Sequence, residues 1–130
     1  MIVLDTHAWL WWVSAPARLG RDAARMLAAA TRVGVPAICC LEVAAAVSRG
    51  RITLDRDVGD WLDAALSLPR VKLLPLTPRV AVLATTLDDF HGDPADRLIV
   101  AAALAESCPL ITRDQRIRRR NKQIKAGRQT

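Results

Sequence analysis

Short apolar runs alternate along the chain with stretches of helical spacing. Met1–Leu4 is apolar and stops at Asp5, which reads as a buried strand. Thr6–Val13 follows as a helix, with Ala8, Trp11 and Trp12 near helical spacing and Pro16 ending it. Arg18–Thr31 is rich in Ala, Arg, Met and Leu and is helical by propensity. Val33–Ile38 supplies a second strand, and Leu41–Arg49 a helix stopped by Gly50. In Leu54–Leu68, the residues Val58, Trp61, Leu62, Ala65 and Leu66 form the apolar stripe of an amphipathic helix, closed by Pro69. Val71–Leu76 is a third strand between prolines, and Pro78–Leu87 a helix with Pro in its first turn. Asp93–Glu106 carries the strongest helix signals. Asp93 is a natural N-cap, Pro94 suits the first helical position, and Asp96 falls at the third. Leu98, Ile99, Ala102, Ala103 and Ala105 supply its apolar face, and Pro109–Thr112 is a short fourth strand.

Strands alternating with helices predict an α/β fold: a three-layer α/β/α arrangement around a parallel sheet of about four strands. At 130 residues the chain fits one domain, with a body over residues 1–117 and a basic tail over 118–130. The hydrophobic fraction of 52% argues against disorder for most of the chain, and its Ala, Val, Leu and Ile content suits helices packed on a parallel sheet.

Charge changes the picture only at the C-terminal end. The net charge is +6, yet residues 113–130 hold eight Lys or Arg and one Asp, so the remainder is nearly neutral. Such a tail suits a polyanion partner, or is simply a solvated terminus. The three cysteines, Cys39, Cys40 and Cys108, form no C-x-x-C pair. Cys39 and Cys40 read as core or helix-start residues, and an odd count without secretory features points to a reducing cytoplasm. The apolar opening lacks a basic n-region, is interrupted by Asp5 and His7, and is too short to span a bilayer; no other segment is a membrane candidate.

Four acids stand out once placed on this map. Asp5 follows the first strand, Glu42 lies in the first turn of the helix after the second, and Asp114 follows the fourth by two residues. These three reach the C-terminal edge of a parallel sheet by connectivity alone, the edge where such folds bind ligands. Asp96 joins them only if its helix begins on that edge. Singly, each has a plain structural reading: Asp5 as a cap, Glu42 and Asp96 as helix-dipole partners, Asp114 as a turn residue. Asp55, Asp57, Asp60 and Asp63 read as solvated faces. Crowded carboxylates repel and call for a hard divalent cation with oxygen ligands, which suits phosphodiester hydrolysis.

These segments resemble PIN-domain ribonucleases, and among them the VapC toxins of VapBC toxin–antitoxin pairs. The resemblance rests on I-V-L-D-T-H-A-W-L-W-W around Asp5, L-E-V-A-A-A-V-S-R-G-R-I around Glu42, H-G-D-P-A-D-R-L-I-V-A-A-A-L around Asp96, and P-L-I-T-R-D-Q-R-I around Asp114. It covers residues 1–117 and implies a Mg²⁺- or Mn²⁺-dependent endoribonuclease, homodimeric and neutralised by a small VapB-type antitoxin. Asp5 and Asp96 are the implied direct metal ligands. Glu42 and Asp114 complete the cluster and orient water, with Thr112 in reach of the water network. The chain departs from the pattern in two places. Cys39 and Cys40 stand where relatives often carry Ser or Thr ahead of the second acid, and a basic tail replaces a last apolar strand.

Other residues have two readings each. His7 suits helix-start packing better than a metal, and His91 reads as a loop residue. Arg97 suits either a phosphate or a neighbouring acid. Four tryptophans exceed what one small core needs, so at least one is expected at a dimer or antitoxin interface. A PIN-like module that binds nucleic acid or antitoxin without catalysis is the competing function. A different α/β phosphotransfer enzyme is disfavoured, since neither G-x-x-x-x-G-K-[ST] nor G-x-G-x-x-G occurs and no second Asp stands two residues after Asp5.

Overall fold

A computed structural model of the chain describes residues 1–87 and 92–112. Its strands are β1 (Ile2–Leu4), β2 (Val33–Pro36), β3 (Val71–Leu74) and β4 (Leu110–Ile111). Its helices are α1 (Thr6–Ser14), α2 (Arg21–Ala29), α3 (Ala37–Ser48), α4 (Val58–Leu66), α5 (Pro78–Thr85) and α6 (Pro94–Ala105), with a 3-10 turn over Pro16–Leu19. The four strands form one parallel sheet in the order β3-β2-β1-β4, flanked by the helices in the expected α/β/α layering.

This order decides where a ligand site can lie. The chain steps from β1 through β2 to β3 on one side, then returns to place β4 on the other side of β1. The direction of winding therefore reverses between β1 and β4, and a crevice opens beyond their C-terminal ends. Val3 pairs with Leu110 and Leu4 with Ile111, so the next residues, Asp5 and Thr112, emerge side by side at that crevice.

Strands buried on both faces explain the continuous apolar runs: every residue of β1, β2 and β4 is buried. Gly34 is in β2 for space, since a Cβ there would come within 2.9 Å of Leu74 Cδ1 and 3.2 Å of Met1 Sδ. Fully buried Trp9 meets Trp61 edge to face, ring centroids 5.1 Å apart, at the heart of the core.

Several boundaries differ from the sequence pattern. Ile38 belongs to α3 rather than β2. Pro36 closes the strand and stands at the N-cap of the helix, so Cys39 and Val43, four residues apart, become one buried helical face. The stretch Arg18–Thr31 is not one helix; Gly20, at φ +83°, separates the 3-10 turn from α2. α4 starts at Val58, because the Asp57 carboxylate accepts from the Gly59 amide and caps it, so Asp57 is more than a solvated acid. Pro75 follows the end of β3, and Thr77 caps α5 by accepting from the Val80 amide at 3.2 Å.

Trp11 and Trp12 lie half-buried on the outer part of α1. The Arg18 guanidinium stands 5.7 Å from the Trp11 ring centre and that of Arg70 5.9 Å from Trp12. Arg70 Nη1 also donates to the carbonyls of Leu27 and Ala30, closing the C-terminal end of α2. Among the described residues no helix is long and apolar enough to cross a membrane.

Candidate functional site

Asp5 is held from three directions. Its backbone amide donates to the Ile111 carbonyl at 3.1 Å, continuing the β1–β4 ladder past the strand end. Its Oδ1 accepts from the Ala8 amide at 2.8 Å, so it is the N-cap of α1, as one reading of the sequence had it. Its Oδ2 accepts a short hydrogen bond from the Thr112 hydroxyl. Thr112 thus acts on the carboxylate itself, and both groups are buried, at 7% and 4% exposure.

Glu42 is not in a first turn. α3 begins at Ala37, five residues earlier, which rotates Glu42 into the second turn and toward α1. There its Oε1 accepts a short hydrogen bond from the Thr6 hydroxyl, across 36 residues of sequence. Asp96 sits in the first turn of α6, its amide donating to Asp93 Oδ1 at 2.8 Å, with Pro94 at the helix start as the sequence predicted.

The condition left open for Asp96 is met. Asp5, Thr6, His7, Glu42, Asp93 and Asp96, with Ile99, line one cleft of about 360 Å³. Three of the four acids read from the sequence therefore share a cavity at the β1–β4 crevice. The fourth, Asp114, lies outside the described residues, as do His91 and the basic tail. Thr6 and Asp93 were not singled out as site residues. The available signals were their places beside Asp5 and at the N-cap of the Asp96 helix.

No Lys or Arg is among the described residues lining this cleft. Arg97, next to Asp96, places Nη1 on the Ala84 carbonyl at 3.1 Å, where it ties α6 to the last turn of α5. His7 is exposed on the first turn of α1, its ring 6.0 Å from that of Trp11 and tilted by 56°. Behind the cleft lies the fully buried Cys39 thiol. Burial pushes its pKa far up, a hydrogen bond with Thr6 opposes that, and the charges of Glu42 and Asp5 add to it. The thiol therefore stays protonated and uncharged. Cys40, half-buried, is also pushed up, by desolvation.

The lining carboxylates present oxygen only, the donor set of a hard divalent cation. Among the described residues no group of three or more His, Cys, Asp or Glu side chains is placed to hold an ion by itself. Mg²⁺ does not require one: it keeps several waters and takes one or two direct carboxylates. The residues present fit such an ion in kind.

A second cavity, of about 740 Å³, runs beside the first and is mostly apolar, lined by Leu10, Trp11, Val13, Ile52, Leu54, Trp61 and Leu68 together with Arg18, Asp55 and Arg56. His7 borders both cavities.

Comparison with known proteins agrees with this layout. Ribonuclease VapC22 of Mycobacterium tuberculosis is 37% identical over 118 residues, covering 90% of this chain and 89% of that protein. VapBC2 from Rickettsia felis, solved bound to a DNA fragment from their promoter, superposes with a TM-score of 0.68 at 20% identity, covering 92% of both chains. A toxin–antitoxin complex from Klebsiella pneumoniae gives a TM-score of 0.61 at 20% identity, covering 88% of this chain and 87% of that one. FitAcB from Neisseria gonorrhoeae gives 0.59 at 23% identity, covering 90% of both. At such identities these structures speak for the fold. Residues 2–123 match the PIN domain, and with nearly the whole chain matched, this protein belongs to the PIN-domain family.

Proposed function

We propose that this protein is a Mg²⁺- or Mn²⁺-dependent endoribonuclease and the VapC-type toxin of a toxin–antitoxin pair. The observation that carries the reading is the convergence of Asp5, Glu42 and Asp96, from three separate elements, on one cleft whose described lining holds no Lys or Arg. The 37% identity to Ribonuclease VapC22 supports the substrate class.

Asp5 and Asp96 are the direct ligands in this reading. Asp5 is fixed by the Ala8 amide and the Thr112 hydroxyl, so its orientation costs little to hold when an ion binds. Asp96 is fixed by its place at the start of α6. Glu42 orients the attacking water, and Asp114 completes the acidic cluster. When bound, the ion supplies a lowered pKa for water and offsets charge on the phosphate oxygens. Arg97, engaged with Ala84, serves the helix packing rather than the phosphate in this reading.

The partners follow from the surfaces. The apolar cavity beside the cleft suits a segment of a VapB-type antitoxin laid across α1 and α4. Exposed Leu41 on α3 and Val82 on α5 offer apolar area for a second copy of the chain, as a homodimer requires. The basic residues of the tail add affinity for RNA, and the protein works in the cytoplasm.

The test is cleavage of a mixed RNA substrate with Mg²⁺ or Mn²⁺, with and without chelator. The parent is compared with Asp5→Asn and Asp96→Asn. Chelation is expected to abolish cleavage and each substitution to lower it about 100-fold or more, while circular dichroism stays native. Full activity in Asp96→Asn would overturn the site; a parent that binds RNA without cutting it would mark a binding module instead.

A further inference from the structure

Thr6 has no helix-capping duty to explain it. Asp5 already caps α1, and Thr6 is the first residue inside the helix, where its hydroxyl has no capping role. It is nonetheless buried, at 8% exposure. A buried hydroxyl needs a partner, and this one takes its partner from another element, donating to Glu42 Oε1. A glutamate carboxylate on an otherwise free side chain can swing through several rotamers. The bond from Thr6 removes that freedom and commits Oε1, so the remaining oxygen, Oε2, is the one left for the cleft that Glu42 lines. Thr112 does the same for Asp5 on the other side of the crevice.

We propose that Thr6 is a positioning residue for the acidic cleft, its hydroxyl locking the Glu42 carboxylate in the orientation that metal binding and water activation require. This rests on the reading of the cleft as a metal-dependent nuclease site. Groups that orient a ligand from behind typically contribute about 10–100-fold in metal affinity or activity.

Thr6→Val removes the hydroxyl while keeping the branched shape and nearly the volume. Mn²⁺ binding is measured by calorimetry with the metal alone, and cleavage by steady-state kinetics. The variant is expected to bind Mn²⁺ roughly 10-fold more weakly and to lose about 10–100-fold in kcat, with KM for RNA within about two-fold of the parent. Thr6→Ser restores the hydroxyl and is expected to recover both. In a double-mutant cycle, Thr6→Val in a Glu42→Gln background is expected to add little, because the bond it breaks is already altered. Parent-like Mn²⁺ affinity and kcat in Thr6→Val, or full additivity with Glu42→Gln, overturns the positioning role. If Thr6→Val does not fold, Thr6→Ala is read by the same measurements. A parent that neither binds Mn²⁺ nor needs metal to cleave overturns the nuclease reading itself, and the role of Thr6 with it. An active, metal-dependent parent with an indifferent Thr6→Val overturns the role of Thr6 alone.

Discussion

Asp5 holds two positions at once, helix cap and cleft carboxylate, and two substitutions separate them. Asp5→Asn keeps a side-chain oxygen for the Ala8 amide, and its new amide group can donate to the Thr112 hydroxyl, which turns to accept. Every hydrogen bond survives and only the charge is lost. Stability is therefore expected to change by less than about 1 kcal/mol, with any shift upward because carboxylate repulsion in the cleft falls. Asp5→Ala instead removes the cap, at about 1 kcal/mol. It also removes the hydrogen bond that the Thr112 hydroxyl, 4% exposed, donates to the carboxylate, at about 1 kcal/mol more. The sum, about 2 kcal/mol, corresponds to roughly 6–8 °C in Tm for a domain of this size. Activity follows the other order. Loss of a ligand carboxylate at roughly 3–4 kcal/mol of transition-state stabilisation lowers the cleavage rate about 100- to 1000-fold in Asn and Ala alike. The assay pairs urea and thermal melts without metal with RNA cleavage in Mn²⁺. An Asn variant as unstable as Ala would show that the Thr112 and Ala8 bonds are not what fixes Asp5. An Asn variant that cleaves like the parent would reduce Asp5 to a cap.

Trp9, with no exposed surface and an edge-to-face contact on Trp61, should be the costliest core truncation: Trp9→Ala is expected to lose about 3–5 kcal/mol by urea titration. Cys39, with its folded pKa raised by burial, ionises in the unfolded chain first. Its contribution is complete below about pH 8.5 and declines by about 1.4 kcal/mol per pH unit above that. Cys39→Ala should flatten the alkaline loss of stability between pH 8 and 10; parallel losses in parent and variant would exclude the thiol as its source. Deleting residues 118–130 removes six Lys or Arg, and should reduce the salt slope of RNA binding by up to about 4, at roughly 0.7 per phosphate contact. An unchanged slope would make the tail a solvated terminus.

How much of this was legible beforehand depended on the range of the interaction. The α/β alternation, the existence of each strand, and the Asp93–Pro94 start of α6 are written in neighbouring residues, because periodicity, caps and proline act within a turn or two. The burial of Cys39 was legible for the same reason. The β2–α3 boundary was not, since an apolar run such as Val33–Ile38 fits a buried strand and a buried helix start equally well, and Pro36 settles it only once the strand is paired. The sorting of the tryptophans, Trp9 and Trp61 inside, Trp11 and Trp12 under arginines, required knowing which face of α1 meets the core.

The sequence by itself determined the α/β alternation and singled out the acids Asp5, Glu42, Asp96 and Asp114, first by their places after strands and in helix starts and then by family resemblance. Tertiary structure decided that three of them meet. It did so by placing β4 beside β1, which set Thr112 on Asp5 across 107 residues, and by turning α3 so that Glu42 reaches Thr6 across 36. Contacts of that separation depend on strand order and helix rotation, which emerge from burying all the apolar faces together and are encoded at no single position.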